Sequence, residues 1–290
     1  MDVELIEGKH IHGLNLRDHA QTPKKANKAD FSTVVEAYEI YRNRIEAVQE
    51  INECSIREIV AALNDYRKSA VPIFDSLDNA GQQQLGSTIM EEFFYLFFKR
   101  KIALLSWQHK NLFLGKGNSY VSLSFTPQSF SALFANPKSA YIHTKNQDFI
   151  MGASVEINFN MQGNIDTKTA VIPVVAIECK TYIERNMLDS CAATASRLKN
   201  AMPYCVYIVA AEYMKMKDAY PELTDIDEVY ILCKAKLTDR NIRIKQNKPP
   251  IDIDADLIMD LFHRVERHLN AIWWKPEDAL KLGKIINRPT

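Results

Sequence analysis

Two charged residues, Glu178 and Lys180, close an apolar, β-branched run that begins at Pro173. In an extended strand side chains alternate, so Glu178 and Lys180 share one face and Cys179 takes the other. A run this apolar reads as a strand covered on both sides, normally the centre of a sheet. Buried charge is costly unless it is paired or holds a metal. An acid and an amine on one face suit metal-assisted hydrolysis of a phosphodiester. That chemistry needs carboxylates for a divalent cation, a water made acidic by the cation, and a positive group near the developing charge. Mg²⁺ takes one or two carboxylates and completes its octahedron with waters and phosphate oxygens.

A second acid has to come from a neighbouring element. Asp148 opens the preceding candidate strand, residues 148–159. If the polar stretch 161–169 is a loop joining the two strands antiparallel, the start of one lies beside the end of the other. Asp148 then sits next to Glu178 and Lys180. Gly152 in the same strand marks a bulge or a close approach. A strongly apolar helix over 87–103 carries Glu91 and Glu92 near its start. The acid-x-Lys spacing alone means little, because Glu7-Gly8-Lys9 and Asp166-Thr167-Lys168 share it. Neither follows an apolar strand.

The elements around these residues are legible in outline. Residues 1–30 read as irregular and mildly basic, with Lys24, Lys25 and Lys28. A helix runs from Phe31 to about Glu50. A second, through Ile56, Ile59, Val60, Leu63 and Tyr66, is capped by Asn52 or Ser55 and ends before Pro72. The turn-like composition of 78–81 divides a helical N-terminal region, 1–80, from a catalytic domain, 81–290. The N-terminal region would serve DNA recognition or subunit contact. Gly115-Lys116-Gly117-Asn118 lies between two short β-like runs and reads as a hairpin turn. It is too short for a phosphate-binding P-loop. A short helix over 129–135, a helix over 186–199, strands over 204–211 and 228–234, and a helix over 254–274 complete the pattern. Trp273-Trp274 reads as core or interface. The fold class is α/β: a mixed central sheet of four to five strands flanked by helices, behind a helical N-terminal region.

Composition narrows the class. The 290 residues carry no formal net charge, so no bulk basic character advertises nucleic acid. Local fields still bind it, because metal-binding carboxylates and a basic groove cancel in the sum. Five scattered cysteines without a C-x-x-C pair read as thiols in a reducing cytosol. No apolar h-region and no membrane-spanning stretch is evident.

An acid, a spacer, then an acid and a Lys two apart after an apolar strand is the motif of the PD-(D/E)xK nuclease superfamily, and residues 148–180 resemble it. Gln147 stands where many members have Pro. The resemblance implies a restriction-endonuclease-like core, Asp148 and Glu178 as Mg²⁺ ligands, and Lys180 as the residue that orients or activates water. The Cys179 carbonyl would complete the metal shell. A further Glu from the helix before the sheet, Glu91 or Glu92, matches the place where the family often adds one, with Glu91 taken as catalytic. Asp148-Phe-Ile-Met-Gly152, Ile177-Glu-Cys-Lys-Thr-Tyr182 and Asn186-Met-Leu-Asp189 further resemble type II restriction endonucleases of the BbvCI kind. That likeness implies double-stranded DNA as substrate, a homologous sister subunit or a homodimer, one strand cut per subunit, and a prokaryotic cytoplasm. Two other readings are a repair or junction-resolving nuclease of the same superfamily and a non-catalytic DNA-binding assembly subunit. Complete Asp148, Glu178 and Lys180 argue against the latter.

Arg240, Arg243, Lys245 and Lys248, next to Pro249-Pro250, form a basic stretch suited to DNA phosphates. The run Lys99–Lys101 is a weaker basic candidate. Glu184, Lys199 and Glu212 lie near the expected site edge, each with a plain structural reading beside the functional one. The histidines, including His10 and His12, lack metal-ligand spacing.

Overall fold

The computed structural model describes residues 9–21, 31–77, 79–105 and 110–270, with positions 277, 280, 281 and 283. Lys24, Lys25, Lys28 and the Trp273-Trp274 pair lie outside the described residues.

Five helices come first: α1 (Ile11–Gln21), α2 (Ser32–Glu46), α3 (Glu53–Asp75), α4 (Asn79–Gly86) and α5 (Thr88–Leu105). Asn52 caps α3, accepting from the Ser55 amide at 3.0 Å while its own amide donates to the Ser55 hydroxyl at 2.9 Å. Pro72, expected beyond the end of this helix, lies within its last turn. The proline removes one backbone donor. Phe74 and Leu77 beyond it are buried, and that anchorage holds the final turn in place.

The sheet follows: β1 (Leu112–Phe125), β2 (Ala140–Met161), β3 (Asn164–Ile183), β4 (Val206–Met214) and β5 (Glu228–Lys236). The short helix α6 (Ala132–Ala135) lies between β1 and β2, and α7 (Arg185–Ala201) between β3 and β4. The chain continues into α8 (Leu237–Lys245) and α9 (Ala255–Asn270). Strand order is β1-β2-β3-β4-β5, with β3 central. The first three strands pair antiparallel and the last three parallel, so the sheet is mixed as expected.

Two expectations are corrected. The residues read as a polar loop, 161–169, are a tight turn at Gln162-Gly163 followed at once by β3. Both turn residues have positive φ, the conformation that suits a two-residue hairpin. This end of the hairpin has largely exposed side chains, so no apolar alternation announced the strands. Gly115–Asn118 is not a hairpin turn either. It lies inside β1, at a register irregularity between Gly115 and Gly117. At Gly152 the expected close approach is present: a Cβ there would meet the Ile172 carbonyl oxygen at 2.1 Å.

The sheet separates two apolar cores. Val175, Ile177 and Cys179 of β3 pack with α2, α3, α5 and α9. Ala176 packs on the other face with Leu188, Cys191, Ala195 and Leu198 of α7. The core on the first face runs without a break from Tyr38 and Ile59 of the front helices to Phe149 and Ile208 of the sheet.

Candidate active site

Strand alternation delivers the chemistry-bearing residues to the α7 side of the sheet. Phe149 pairs with Ile177, so Asp148 lies across from Glu178. The Cys179 amide donates to Asp148 Oδ2 at 2.9 Å and fixes that carboxylate. Lys180 Nζ lies 2.6 Å from Glu178 Oε1 and 3.7 Å from Asp148 Oδ2. The Cys179 side chain points into the opposite core, where burial holds its thiol protonated, its pKa well above the ordinary value. Its useful polar group on the site side is backbone.

Of the two acids on α5, Glu91 joins this row and Glu92 does not. Glu92 accepts from the Gly13 amide and the Tyr38 hydroxyl, among the front helices. Glu91 Oε2 lies 2.8 Å from Lys116 Nζ, which is also 3.5 Å from Asp148 Oδ1. Lys116 was hidden within the supposed turn. Its flanking glycines are what the irregular strand requires: Gly115 has φ +123, and a Cβ on Gly117 would meet the Phe113 ring at 2.6 Å. A Gly-Lys-Gly triplet inside an otherwise β-like stretch was the available signal.

The five groups form an alternating row: Glu91, Lys116, Asp148, Lys180, Glu178. Burial, then the charge of Asp148, pushes the Glu91 carboxyl up to about 7, against the pull of Lys116. Glu178 is raised by burial and by Asp148, against Lys180. Burial works against both ammonium groups, but the neighbouring carboxylates outweigh it and both lysines titrate above the ordinary value.

The sequence profile of the Bpu10I restriction endonuclease matches residues 82–285. The chain belongs to the Bpu10I restriction endonuclease family. It is thereby related to DNA endonucleases, which are hydrolases, and the resemblance to restriction enzymes is borne out. A chain of the native BbvCI A2B2 tetramer is similar in fold, with TM-score 0.68 at 23% identity, covering 92% of this chain and 98% of that one. Comparison with curated protein sequences gives no match.

Within the Bpu10I family fold, the row fits a divalent cation in a particular way. Among the described residues no three carboxylate, His or Cys side chains converge as a ready-made metal cage. Mg²⁺ does not need one, since two carboxylates with waters and phosphate oxygens suffice. Burial first, and then the charge of Asp148, raises the pKa of both Glu178 and Glu91, and a cation would relieve the like-charge part.

The remaining candidates are placed elsewhere or engaged. Glu212 faces the opposite core, with its Oε2 2.5 Å from Arg67 Nη2. Glu184 precedes α7 and pairs with Lys215 at 2.7 Å, and Lys199 pairs with Asp227 at 2.7 Å. The basic stretch is helix α8 and its exit. Arg240 pairs with Asp75 at 2.5 Å, Arg243 Nε donates to the Pro249 carbonyl, and Lys245 and Lys248 are exposed. Arg100 Nε donates to the Val48 carbonyl, and Lys99 lies over the Tyr95 ring. His12 is buried between Thr88 and Tyr66. No helix among the described residues is long and apolar enough to cross a membrane.

Proposed function

We propose that this chain is one subunit of a type II restriction endonuclease that hydrolyses one strand of double-stranded DNA with Mg²⁺. The observation that supports it best is the junction of β2 and β3, where Asp148, Glu178 and Lys180 meet within ion-pair distance. Asp148 and Glu178, with the Cys179 carbonyl, would hold the ion. An ion held there would supply a more acidic water and offset charge developing on the phosphoryl oxygens. The Cys179 amide keeps Asp148 oriented. Lys180 orients the attacking water, which forms a new P–O bond in line with the one that breaks. Glu91 belongs to the site through Lys116. The exposed Lys245 and Lys248 would contact DNA phosphates outside it.

The partner would be a second subunit of the same kind, identical or homologous. BbvCI, similar in fold, is an A2B2 tetramer. Exposed Phe125, Phe130, Phe134 and Tyr141 around α6 offer apolar surface of the kind that subunits cover. The test is cleavage of a supercoiled plasmid carrying the site, with Mg²⁺, with and without the sister subunit. Lys180→Ala should leave nicked circles when the partner stays active. Unchanged linearisation by that variant would overturn the assignment.

A further inference from the structure

The register irregularity between β1 and β2 brings one β1 side chain, Lys116, into the acidic row. Gly115 pairs with Ile150 and Gly117 with Gln147, so Lys116 alone faces the two residues Asp148 and Phe149. The extra residue on β2 breaks the ladder and re-aims the side chains beside it. The Lys116 ammonium sits 2.8 Å from Glu91 and 3.5 Å from Asp148. Lys180 holds the corresponding place between Asp148 and Glu178. Each neighbouring pair of acids in the row therefore has one ammonium between them.

A pair of carboxylates held together is also what a divalent cation binds. Lys116 and Lys180 are equally exposed, at 27% each, so the difference lies in the acids: Asp148 and Glu178 are 15% and 19% exposed. Glu91 is only 6% exposed, and its carboxylate is engaged by Lys116 at 2.8 Å. A lysine ammonium is a compact point charge and fills such a gap without the six-fold coordination an ion demands.

We propose that Lys116 is a positioning residue that takes the place of a second divalent cation, so that each subunit works with one ion and Glu91 serves as counter-ion to Lys116. The inference rests on the metal-nuclease reading above and adds a stoichiometry to it. It also explains why Gly115-Lys116-Gly117 stands inside a strand.

The test counts Mn²⁺ bound per folded chain from the loss of its free-ion paramagnetic resonance signal, without DNA. The wild type and Lys116→Arg should bind one ion. Lys116→Met should bind two, because Glu91 and Asp148 are left facing each other. Lys116→Met/Glu91→Gln should return to one. Cutting by Lys116→Met should fall about 10–100-fold, as for other residues that support a metal ligand, with Lys116→Arg recovering most of it. Two ions in the wild type, or one in Lys116→Met, overturns the assignment while loss of binding in Asp148→Asn keeps the metal reading intact. Unchanged binding in Asp148→Asn overturns the metal reading and this inference with it.

Discussion

Glu91 and Glu92 are adjacent on α5 and face opposite ways. Glu92 enters a closed polar knot among the front helices, with the Gly13 amide, Tyr38, and His12 bridging Thr88 and Tyr66 nearby. Glu91 enters the row at the sheet, where carboxylates outnumber ammonium groups and the lysines are partly exposed. The knot satisfies its acid with neutral donors and shuts out water, so it specifies packing. The row leaves excess negative charge beside partly exposed lysines, the arrangement that the proposed cation would neutralise. The Arg67–Glu212 pair, on the same face as the knot, shares its burial but not its chemistry: both side chains are nearly fully buried, and the acid is satisfied by a guanidinium.

The largest expected contrast is between Asp148→Asn and Arg67→Met. Asp148→Asn should lower plasmid cutting by about 1000-fold or more, some 4 kcal/mol of barrier, with little change in thermal midpoint. Arg67→Met leaves Glu212 buried without its cation and should cost about 3–5 kcal/mol in urea unfolding, without altering the cutting rate per folded molecule. Adding Glu212→Leu should regain most of that stability. If Arg67→Met folds as firmly as the wild type, the separation of structural from functional charge fails.

A smaller contrast lies in pH dependence, measured without divalent ions. Glu91 has a folded pKa of about 7 against an ordinary value of 4.5, so the native state binds its proton more tightly. Its contribution makes stability fall as pH rises from about 4.5 through about 7. Any stability advantage of Glu91→Gln over the wild type should therefore shrink from about pH 7.5 to about pH 5. Burial lowers His12 from 6.5 to about 3, so its contribution is lost as pH falls below about 6.5. For His12→Gln the difference from the wild type should move the opposite way over the same range. Parallel slopes in the two variants would erase the distinction between row and knot.

The smallest effects belong to α8. Lys245→Ala and Lys248→Ala should each reduce the salt dependence of DNA binding by about one phosphate contact, a slope change near 0.9. Arg240→Ala should instead lower stability with the salt slope unchanged, because its partner is Asp75.

Much of the row could be read in the sequence. The apolar approach to Glu178, the two-residue alternation and the antiparallel return to Asp148 are local consequences of strand geometry, and they required no knowledge of packing. The capping of α3 by Asn52 was legible for the same reason. Lys116 was not, because a glycine pair around a polar residue signals a turn as readily as a strand irregularity. Pro72 misled in the same way, since burial of Phe74 outweighs a local preference. The paired Arg240 and Glu212 looked available because sequence shows a charge and not its partner.

By itself, the sequence determined which residues share a strand face, and so placed Asp148, Glu178 and Lys180 together and turned Cys179 away. Only the tertiary structure decided that Glu91 rather than Glu92 meets them, that Lys116 stands between Glu91 and Asp148, and that Glu212 belongs to another pair. Strand alternation is fixed by the backbone of neighbouring residues. Which face of a helix meets a sheet, and where an irregular strand aims a side chain, depends on contacts between residues distant in the chain.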